Sequence, residues 1–242
     1  MFWLDLLYKK IPHMKKIFTF LFISVFTTLS FSQNLQLHYG YTGDNNYTLA
    51  RFELMKGREK SLTYLYTDFD LGRLDGVHQA YFEISHKFFL TKLDERINFH
   101  VEYNDGLMIN RDREVVTTGI PIHRSYLTGI GFRGKIGEHF VISPTFLFKY
   151  YDSYNQLDYQ FTLRWKGDFL DEKLTFAGFF DAWTYSPGND KTKYIVLRTQ
   201  LQLWYNIIEQ LSVGTQFEIN QHYFIYDEKV RALGTVAIKW NI

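Results

Sequence analysis

The feature of the sequence that most restricts its fold is a strict alternation of polar and apolar residues between Gln156 and Lys166. Successive side chains of a β-strand point to opposite faces, so a strand with this pattern has one polar and one apolar face. Strands of globular sheets usually have about five or six residues, whereas a tilted strand needs about nine to eleven to cross a bilayer. The length of the alternation therefore favours a strand that crosses a membrane.

The same pattern recurs along the chain and predicts about twelve strands, the first at 34–41 and the last at 231–242. Beyond Phe31 no run approaches eighteen apolar residues, so a helical membrane protein is excluded. Each unpaired backbone N–H or C=O group in hydrocarbon costs several kcal/mol, so the strands must close on themselves. The expected fold class is all-β: a transmembrane, antiparallel, up-and-down β-barrel.

The connections between the expected strands fit a barrel that starts on the periplasmic side, where turns are short and outer loops are longer. Short charged segments are expected to form the periplasmic turns, near 56–60, 91–95, 135–138, 167–172 and 206–209. The outer connections include the segment from Ser186 to Lys193 and a long loop from Asp105 to Arg124.

The N-terminal residues have the composition of a secretory signal peptide. Lys15 and Lys16 precede a charge-free apolar stretch that ends at Phe31, and small residues follow where cleavage is expected. This stretch is shorter than the roughly twenty residues of a membrane-spanning helix, which makes a membrane anchor the weaker alternative. We expect residues 1–32 to be the signal peptide, with translation starting at Met14, and residues 33–242 to be one barrel domain in the outer membrane of a Gram-negative bacterium.

The composition narrows the function further. The chain has no cysteine, which excludes disulfides and thiolate metal sites, and its formal net charge of +1 does not favour a nucleic-acid binder. Aromatic residues make up 19 % of the chain, as expected for girdles at two membrane interfaces. The sequence contains no phosphate loop, dinucleotide fingerprint or spaced calcium or zinc cluster, so we expect no cofactor and no metal.

The inward face of the expected barrel mixes both signs of charge with aromatic rings. In the third strand both faces are amphipathic, and Asp68 is assigned inward because a carboxylate facing lipid is costly. The residues expected to face inward are Arg51, Glu53, Tyr64, Tyr66, Asp68, Tyr81, Glu83, Lys87, His100, Glu102, Arg133, Lys149, Asp158, Arg164, Asp181, Trp183, Arg198 and Glu218. A solute with a flat ring and hydroxyl groups would find stacking faces and hydrogen-bond partners along such a wall.

Eleven of these residues are the candidate pore-lining residues that would contact a solute: Arg51, Glu53, Tyr64, Asp68, Tyr81, Glu83, His100, Glu102, Arg164, Asp181 and Trp183. Hydroxyls or base edges of a solute would bond to Glu53, Asp68, Glu83, His100, Glu102 and Asp181. Its ring would stack on Tyr64, Tyr81 and Trp183. The alternative is that the charges pair with one another and fill the barrel, with Arg51, Lys87, Arg164 and Arg198 neutralising the carboxylates.

Hydrolytic Ser–His pairs are the remaining chemical candidates. Ser85 and His86 are adjacent on one strand, so they point to opposite faces and are not expected to pair. His123 and Ser125 stand at the end of the long outer loop. We therefore expect no enzyme, and an outer-membrane lipid hydrolase is the least favoured hypothesis.

Several strand segments carry a family resemblance. The segments 35–39, 51–56, 80–85, 99–104 and 176–183 resemble a family of Gram-negative outer-membrane proteins of unassigned function. That family is in turn similar to the nucleoside-specific channel-forming Tsx family, whose barrels have twelve strands. The resemblance implies passive, selective uptake of nucleosides through weak binding sites lined by aromatic and polar side chains.

The sequence thus predicts a monomeric, substrate-selective channel for small solutes, with nucleosides as the first choice. Its expected partners are outer-membrane lipid, the solutes and the barrel insertion machinery. The alternative from a different class is a non-conducting structural or surface-interaction barrel, in which the outer loop from Asp105 to Arg124 makes the functional contacts.

Overall fold

The computed structural model describes residues 32–41, 47–72, 77–111, 117–152, 156–185, 193–222 and 230–242. Almost all of these residues lie in strands. The strands are β1 (Ser32–Gly40), β2 (Thr48–Arg58), β3 (Ser61–Asp70), β4 (Gln79–Phe89), β5 (Ile97–Arg111), β6 (Thr117–Phe132), β7 (Gly134–Ile136), β8 (Phe140–Tyr151), β9 (Gln156–Phe169), β10 (Leu174–Tyr185), β11 (Tyr194–Ile208), β12 (Leu211–Gln221) and β13 (Arg231–Asn241). Within the described ranges, no helix is long and apolar enough to cross a membrane.

The strands form one closed antiparallel barrel. Consecutive strands pair with each other except for β6 and β7, and in addition β1 pairs with β13 and β6 pairs with β8. Only Arg133 separates β6 from β7, and both pair with β8, so they occupy a single position in the barrel wall. The barrel therefore has twelve strand positions, which confirms the expected fold class. Closure leaves no sheet edge exposed to lipid.

Short turns join the strands at one end of the barrel, which we call the turn end. They lie at 59–60, 90–96, 137–139, 170–173 and 209–210, where the charged segments predicted them. In the third of these turns Gly137 has a φ of +64°, a conformation that glycine adopts without a steric penalty. The opposite end, where the longer connections lie, is called the loop end.

The expected long loop from Asp105 to Arg124 is wrong. In the structure β5 continues to Arg111 and β6 begins at Thr117, and the two strands pair from Gly106 with Ile122 onwards. We call this extension, residues 106–111 and 117–122, the long hairpin. Its residues lack a clear polar and apolar alternation. The backbone N–H and C=O groups of its two strands nevertheless pair with each other, and this pairing does not require an apolar face. A two-strand extension of this kind leaves little trace in the sequence pattern.

The outer face of the barrel is apolar, as predicted. Phe146 is 68 % exposed, and Phe99 and Phe161 point away from the interior. Aromatic residues stand on this face near both ends: Tyr39, Tyr126 and Tyr159 towards the loop end, and Phe169, Tyr205 and Trp240 towards the turn end. Such a surface suits contact with the lipid of the outer membrane. The expected signal peptide, residues 1–32, lies outside the described residues except for Ser32.

Candidate functional site

The interior of the barrel holds a cavity of about 610 Å³. Ten of the eleven candidate pore-lining residues line it: Arg51, Glu53, Tyr64, Tyr81, Glu83, His100, Glu102, Arg164, Asp181 and Trp183. The eleventh, Asp68, points inward but does not line the cavity, because it is buried against Arg51. The prediction that Asp68 contacts a solute is therefore not supported by its position.

The other residues predicted to face inward fall into three groups. Tyr66, Lys87, Lys149 and Arg198 line the cavity together with the candidates. Asp158 and Glu218 are buried in the wall, and Arg133 is exposed at the break between β6 and β7. Arg133 is thus not enclosed by the barrel, although the alternation along the strand predicts an inward side chain at this position.

Strand pairing gives the cavity two walls of different composition. On one wall the register places Glu53 beside Tyr66, Tyr66 beside Glu83, and Glu83 beside Asn104. On the other wall the pairing of β9 with β10 brings together three pairs: Gln160 with Trp183, Thr162 with Asp181, and Arg164 with Phe179. The first wall is rich in carboxylates, and the second carries a guanidinium group and aromatic rings.

Arg51 is the centre of a buried network at one side of the cavity. Its Nε and Nη2 atoms donate to the two Asp68 oxygens at 2.8 and 2.9 Å. Nη2 also donates to the Tyr66 hydroxyl at 2.9 Å, and Nη1 donates to Gln216 Oε1 at 2.9 Å. Gln216 lies on β12, beyond β1 and β13, so the network joins residues of three strands, β2, β3 and β12. This arrangement fixes the wall and neutralises Asp68.

A second ion pair crosses the cavity instead of following its wall. Arg164 on β9 donates through Nη2 to Glu83 Oε1 on β4 at 2.8 Å. The Arg164 guanidinium also lies 5.0 Å from the centre of the Tyr64 ring on β3. On the shorter way round the barrel, three strands separate β4 from β9. The pair therefore spans the interior.

The remaining carboxylates of the cavity accept hydrogen bonds from neutral groups. Glu53 accepts one from the Tyr64 hydroxyl at 3.1 Å, and Asp181 accepts one from the Thr162 hydroxyl at 2.6 Å. Glu102 lies 2.9 Å from His100 Nε2. These three carboxylates are thus held in place by hydrogen bonds from neighbouring side chains of the wall.

Aromatic rings gather towards the loop end of the cavity. Lys149 Nζ lies 4.8 Å from the Trp183 ring centre and 5.1 Å from that of Tyr151. Tyr151 and Tyr185 are buried edge to face, with ring centres 5.7 Å apart. Distances of this size are typical of cation–π and aromatic pairs. This part of the cavity offers flat faces to a solute that enters from outside.

Several residues of the barrel interior were not predicted from the sequence. Phe179 and Val196 line the cavity, and Trp204 is buried on the inner face of β11. The alternation was sufficient to find Phe179, which stands two residues before Asp181, and Trp204, which stands two residues after Gln202. Apolar residues were expected on the lipid face, and this expectation is wrong at these positions.

The long hairpin also contributes to the cavity. A β-bulge between Asn104 and Gly106 changes the register of β5 against β6. The extra residue lies in β6, because one residue of β5 lies between the paired positions Asn104 and Gly106 while two residues of β6 lie between Ser125 and Ile122. A bulge reverses the direction of the side chains across it, so Ile120 and Ile122 line the loop end of the cavity beside Met108, which faces inward like Asn104. The cavity thus has an apolar rim above a polar and aromatic interior.

The Ser–His pairs do not form a catalytic arrangement in the described structure. Ser85 is buried and lines the cavity, whereas the His86 ring bonds to the Thr63 hydroxyl on the outer face at 2.8 Å. Ser125 donates to Asn104 inside the barrel, and the side chain of His123 lies outside the described part. Among the described residues, no three His, Asp or Glu side chains are grouped so that they could hold a metal ion.

Comparisons with known proteins agree with the fold. A family model described as "Domain of unknown function (DUF5020)" matches residues 32–242. No curated protein matches the chain in sequence. The structure is similar to the NanC porin, with a TM-score of 0.57 and 8 % identity over 86 % of this chain and 100 % of that one. It is also similar to the COG4313 outer membrane channel from Pseudomonas putida F1, with a TM-score of 0.54 and 9 % identity over 88 % and 95 %.

Proposed function

The chain belongs to the DUF5020 family, whose function is unknown, and we propose that it is a substrate-selective outer-membrane channel for passive uptake of small solutes. The observation that carries the proposal is the cavity of about 610 Å³, enclosed by the barrel and lined by aromatic rings and both signs of charge. The two similar structures are described as a porin and an outer membrane channel, which supports the same class of function.

Nucleosides are the solutes that we propose, and the resemblance to the Tsx family stays a prediction. A nucleoside carries a flat base and a hydroxylated sugar, so it matches a cavity with both ring faces and polar groups. The rings of Tyr64, Tyr81 and Trp183 would stack the base. The groups that would bond to hydroxyls and base edges are Glu53, Glu83, His100, Glu102, Arg164 and Asp181.

Ion current through the purified barrel in a planar bilayer tests this proposal. Added nucleoside should reduce the current reversibly, because a bound solute obstructs the path of the ions. Trp183→Ala should weaken this block about tenfold, since the loss of one stacked ring costs about 1–3 kcal/mol. The matched control is Tyr159→Ala, which removes a ring that is 56 % exposed on the lipid face.

A current that responds neither to nucleosides nor to other ring solutes would contradict the selectivity for nucleosides. Liposome swelling with nucleosides and with sugars of similar size then identifies the solute class that the cavity admits. Faster swelling with sugars would replace the proposed solute while retaining the channel.

A specific observation favours the second candidate function, a non-conducting structural or surface-interaction barrel. Among the described residues, three arginines pair with carboxylates in the interior: Arg51 with Asp68, Arg164 with Glu83, and Arg198 with Glu218. Lys87, the fourth cation of this hypothesis, donates to the Ser143 hydroxyl instead. A folded, heat-modifiable barrel that carries no ion current would support this candidate over the channel.

We further propose that the protein acts without catalysis and as a monomer. The positions of Ser85 and His86 on opposite faces support the first statement. Turnover of a labelled phospholipid by the purified protein would contradict it, and a stable oligomer in mild detergent would contradict the second.

A further inference from the structure

Two hydrogen bonds cross the interior of the barrel at mid-height. One is the 2.8 Å bond from Arg164 to Glu83, and the other joins Lys87 Nζ on β4 to Ser143 Oγ on β8 at 3.2 Å. Ser143 is the direct cross-strand partner of Arg164 in the pairing of β8 with β9. The two bonds thus connect the same two regions of wall, and we call these four residues the crossbar.

The crossbar interrupts a cavity that continues on both sides of it. Towards the loop end the cavity is lined by Met108 and Tyr185, and towards the turn end by Met55 and Leu62. Both ends of the Arg164–Glu83 bond belong to the cavity lining. A solute that travels along the barrel therefore has to pass these side chains.

The Arg164–Glu83 pair is held less firmly than the Arg51 network. Arg164 donates to Glu83 through Nη2 alone, and its side chain is 32 % exposed to the cavity. Arg51 has a side chain only 1 % exposed and holds both oxygens of Asp68. The Arg164 pair thus has solvent beside it and donors available to an entering solute, whereas the Arg51 pair is sealed in the wall.

The Arg164–Glu83 bond opens at low cost only if a solute replaces the partner of each charged group. Separating two charges in a narrow space is costly unless each finds a new partner. The new partner for Arg164 must be an acceptor, and the partner for Glu83 must be a donor. Adjacent hydroxyls on a sugar, or a neighbouring donor and acceptor on a base edge, meet both needs with one neutral molecule.

We propose that the Arg164–Glu83 bond is the selectivity constriction of this barrel. It admits neutral solutes that present a donor and an acceptor side by side, and it excludes solutes of similar size that lack them. This inference rests on the proposed channel function and adds to it the two specificity-determining residues and the chemistry that they select.

Single-channel conductance of the full chain in planar bilayers tests the constriction. Arg164→Ala removes one of the two side chains that meet in the interior, so the conductance should rise about twofold or more. The matched control is Arg198→Ala, which removes an equal charge from the same cavity. Its partner Glu218 is on the adjacent strand β12, so this pair follows the wall and its loss should not produce that rise.

A charge exchange separates a specific contact from a general effect on the wall. Glu83→Arg combined with Arg164→Glu rebuilds the pair in the opposite direction, so it should restore the wild-type conductance. Either reversal alone places two like charges together and should not restore it. Heat-modifiable migration of each variant verifies that the barrel has folded.

Solute selection provides the second measurement. In liposome swelling, wild-type protein should favour a polyol with adjacent hydroxyls over a solute of equal size without them, and Arg164→Ala should lose most of this preference. If wild-type protein conducts but Arg164→Ala behaves like Arg198→Ala, the constriction is wrong and the channel stands. If the folded wild type carries no current and admits no polyol while Arg164→Ala conducts, the pair closes the barrel, and both the channel and the selective constriction are wrong. If no folded variant conducts, both proposals are wrong.

Discussion

Replacement of Arg51 by alanine should destabilise the barrel strongly. The Arg51 side chain is 1 % exposed and donates four hydrogen bonds, two of them to Asp68. The Asp68 side chain is only 10 % exposed, so its carboxylate has little water to replace the lost guanidinium. Gln216 and Tyr66 lose a donor at the same time.

The size of the stability loss in Arg51→Ala follows from the Asp68 carboxylate, which stays buried without its partner. Breaking a buried ion pair by removing one partner costs about 3–5 kcal/mol, because the other charge stays buried without compensation. The hydroxyl of Tyr66 still donates to Asp68, which places Arg51→Ala near the lower end of that range. In Arg51→Ala combined with Asp68→Ala the uncompensated charge is absent, so this double variant should lose less stability than the sum of the two single variants.

Equilibrium unfolding in urea with lipid vesicles, followed by tryptophan fluorescence, measures these differences. The control is Arg96→Ala, which removes the exposed partner of Asp94 in a short turn and should lower the free energy of unfolding by no more than about 1 kcal/mol. If Arg51→Ala lowers the free energy of unfolding by less than about 1 kcal/mol, its loss is no larger than that of an exposed ion pair, and the buried-charge explanation is wrong.

Two further perturbations have defined outcomes. A Cβ at Gly129 would lie 1.9 Å from the carbonyl oxygen of Phe146 on the neighbouring strand, so Gly129→Ala should prevent folding and abolish heat-modifiable migration. The control is Gly57→Ala, where the nearest atom to the added Cβ is 4.0 Å away, and this variant should retain heat-modifiable migration. The side-chain hydrogen bond from Arg96 lowers the pKa of Asp94 to about 2; this interaction should therefore favour the folded state above the ordinary aspartate range and be lost as the pH falls towards 2. An NMR titration of Asp94 that keeps the low midpoint in Arg96→Ala would contradict that cause.

The sequence was sufficient for the faces of most strands. Because side chains alternate along any strand, the pattern around Arg164 and Glu102 placed both residues inside without knowledge of their neighbours. The same reasoning placed Phe99 and Phe161 on the lipid face, and the structure agrees. The pattern failed where the backbone departs from regular alternation, as at the bulge of β6 between Ile122 and Ser125, which redirects the β6 strand of the long hairpin.

The contacts between opposite walls of the cavity could not be predicted from the sequence. Arg164 and Glu83 are 81 residues apart in the chain and belong to strands that are not neighbours in the sheet. Their meeting depends on the number of strands, their stagger and their tilt, which together set the width of the interior. The same geometry buries Asp68 behind Arg51 and withdraws it from the cavity.

The amino-acid sequence by itself determined that this protein is a membrane barrel with a polar interior, because alternation and the need to pair every backbone group in lipid are local requirements. The tertiary structure alone decided which charges face one another across that interior. A strand encodes the direction of its side chains, but only the closed barrel sets how far apart two opposite walls stand.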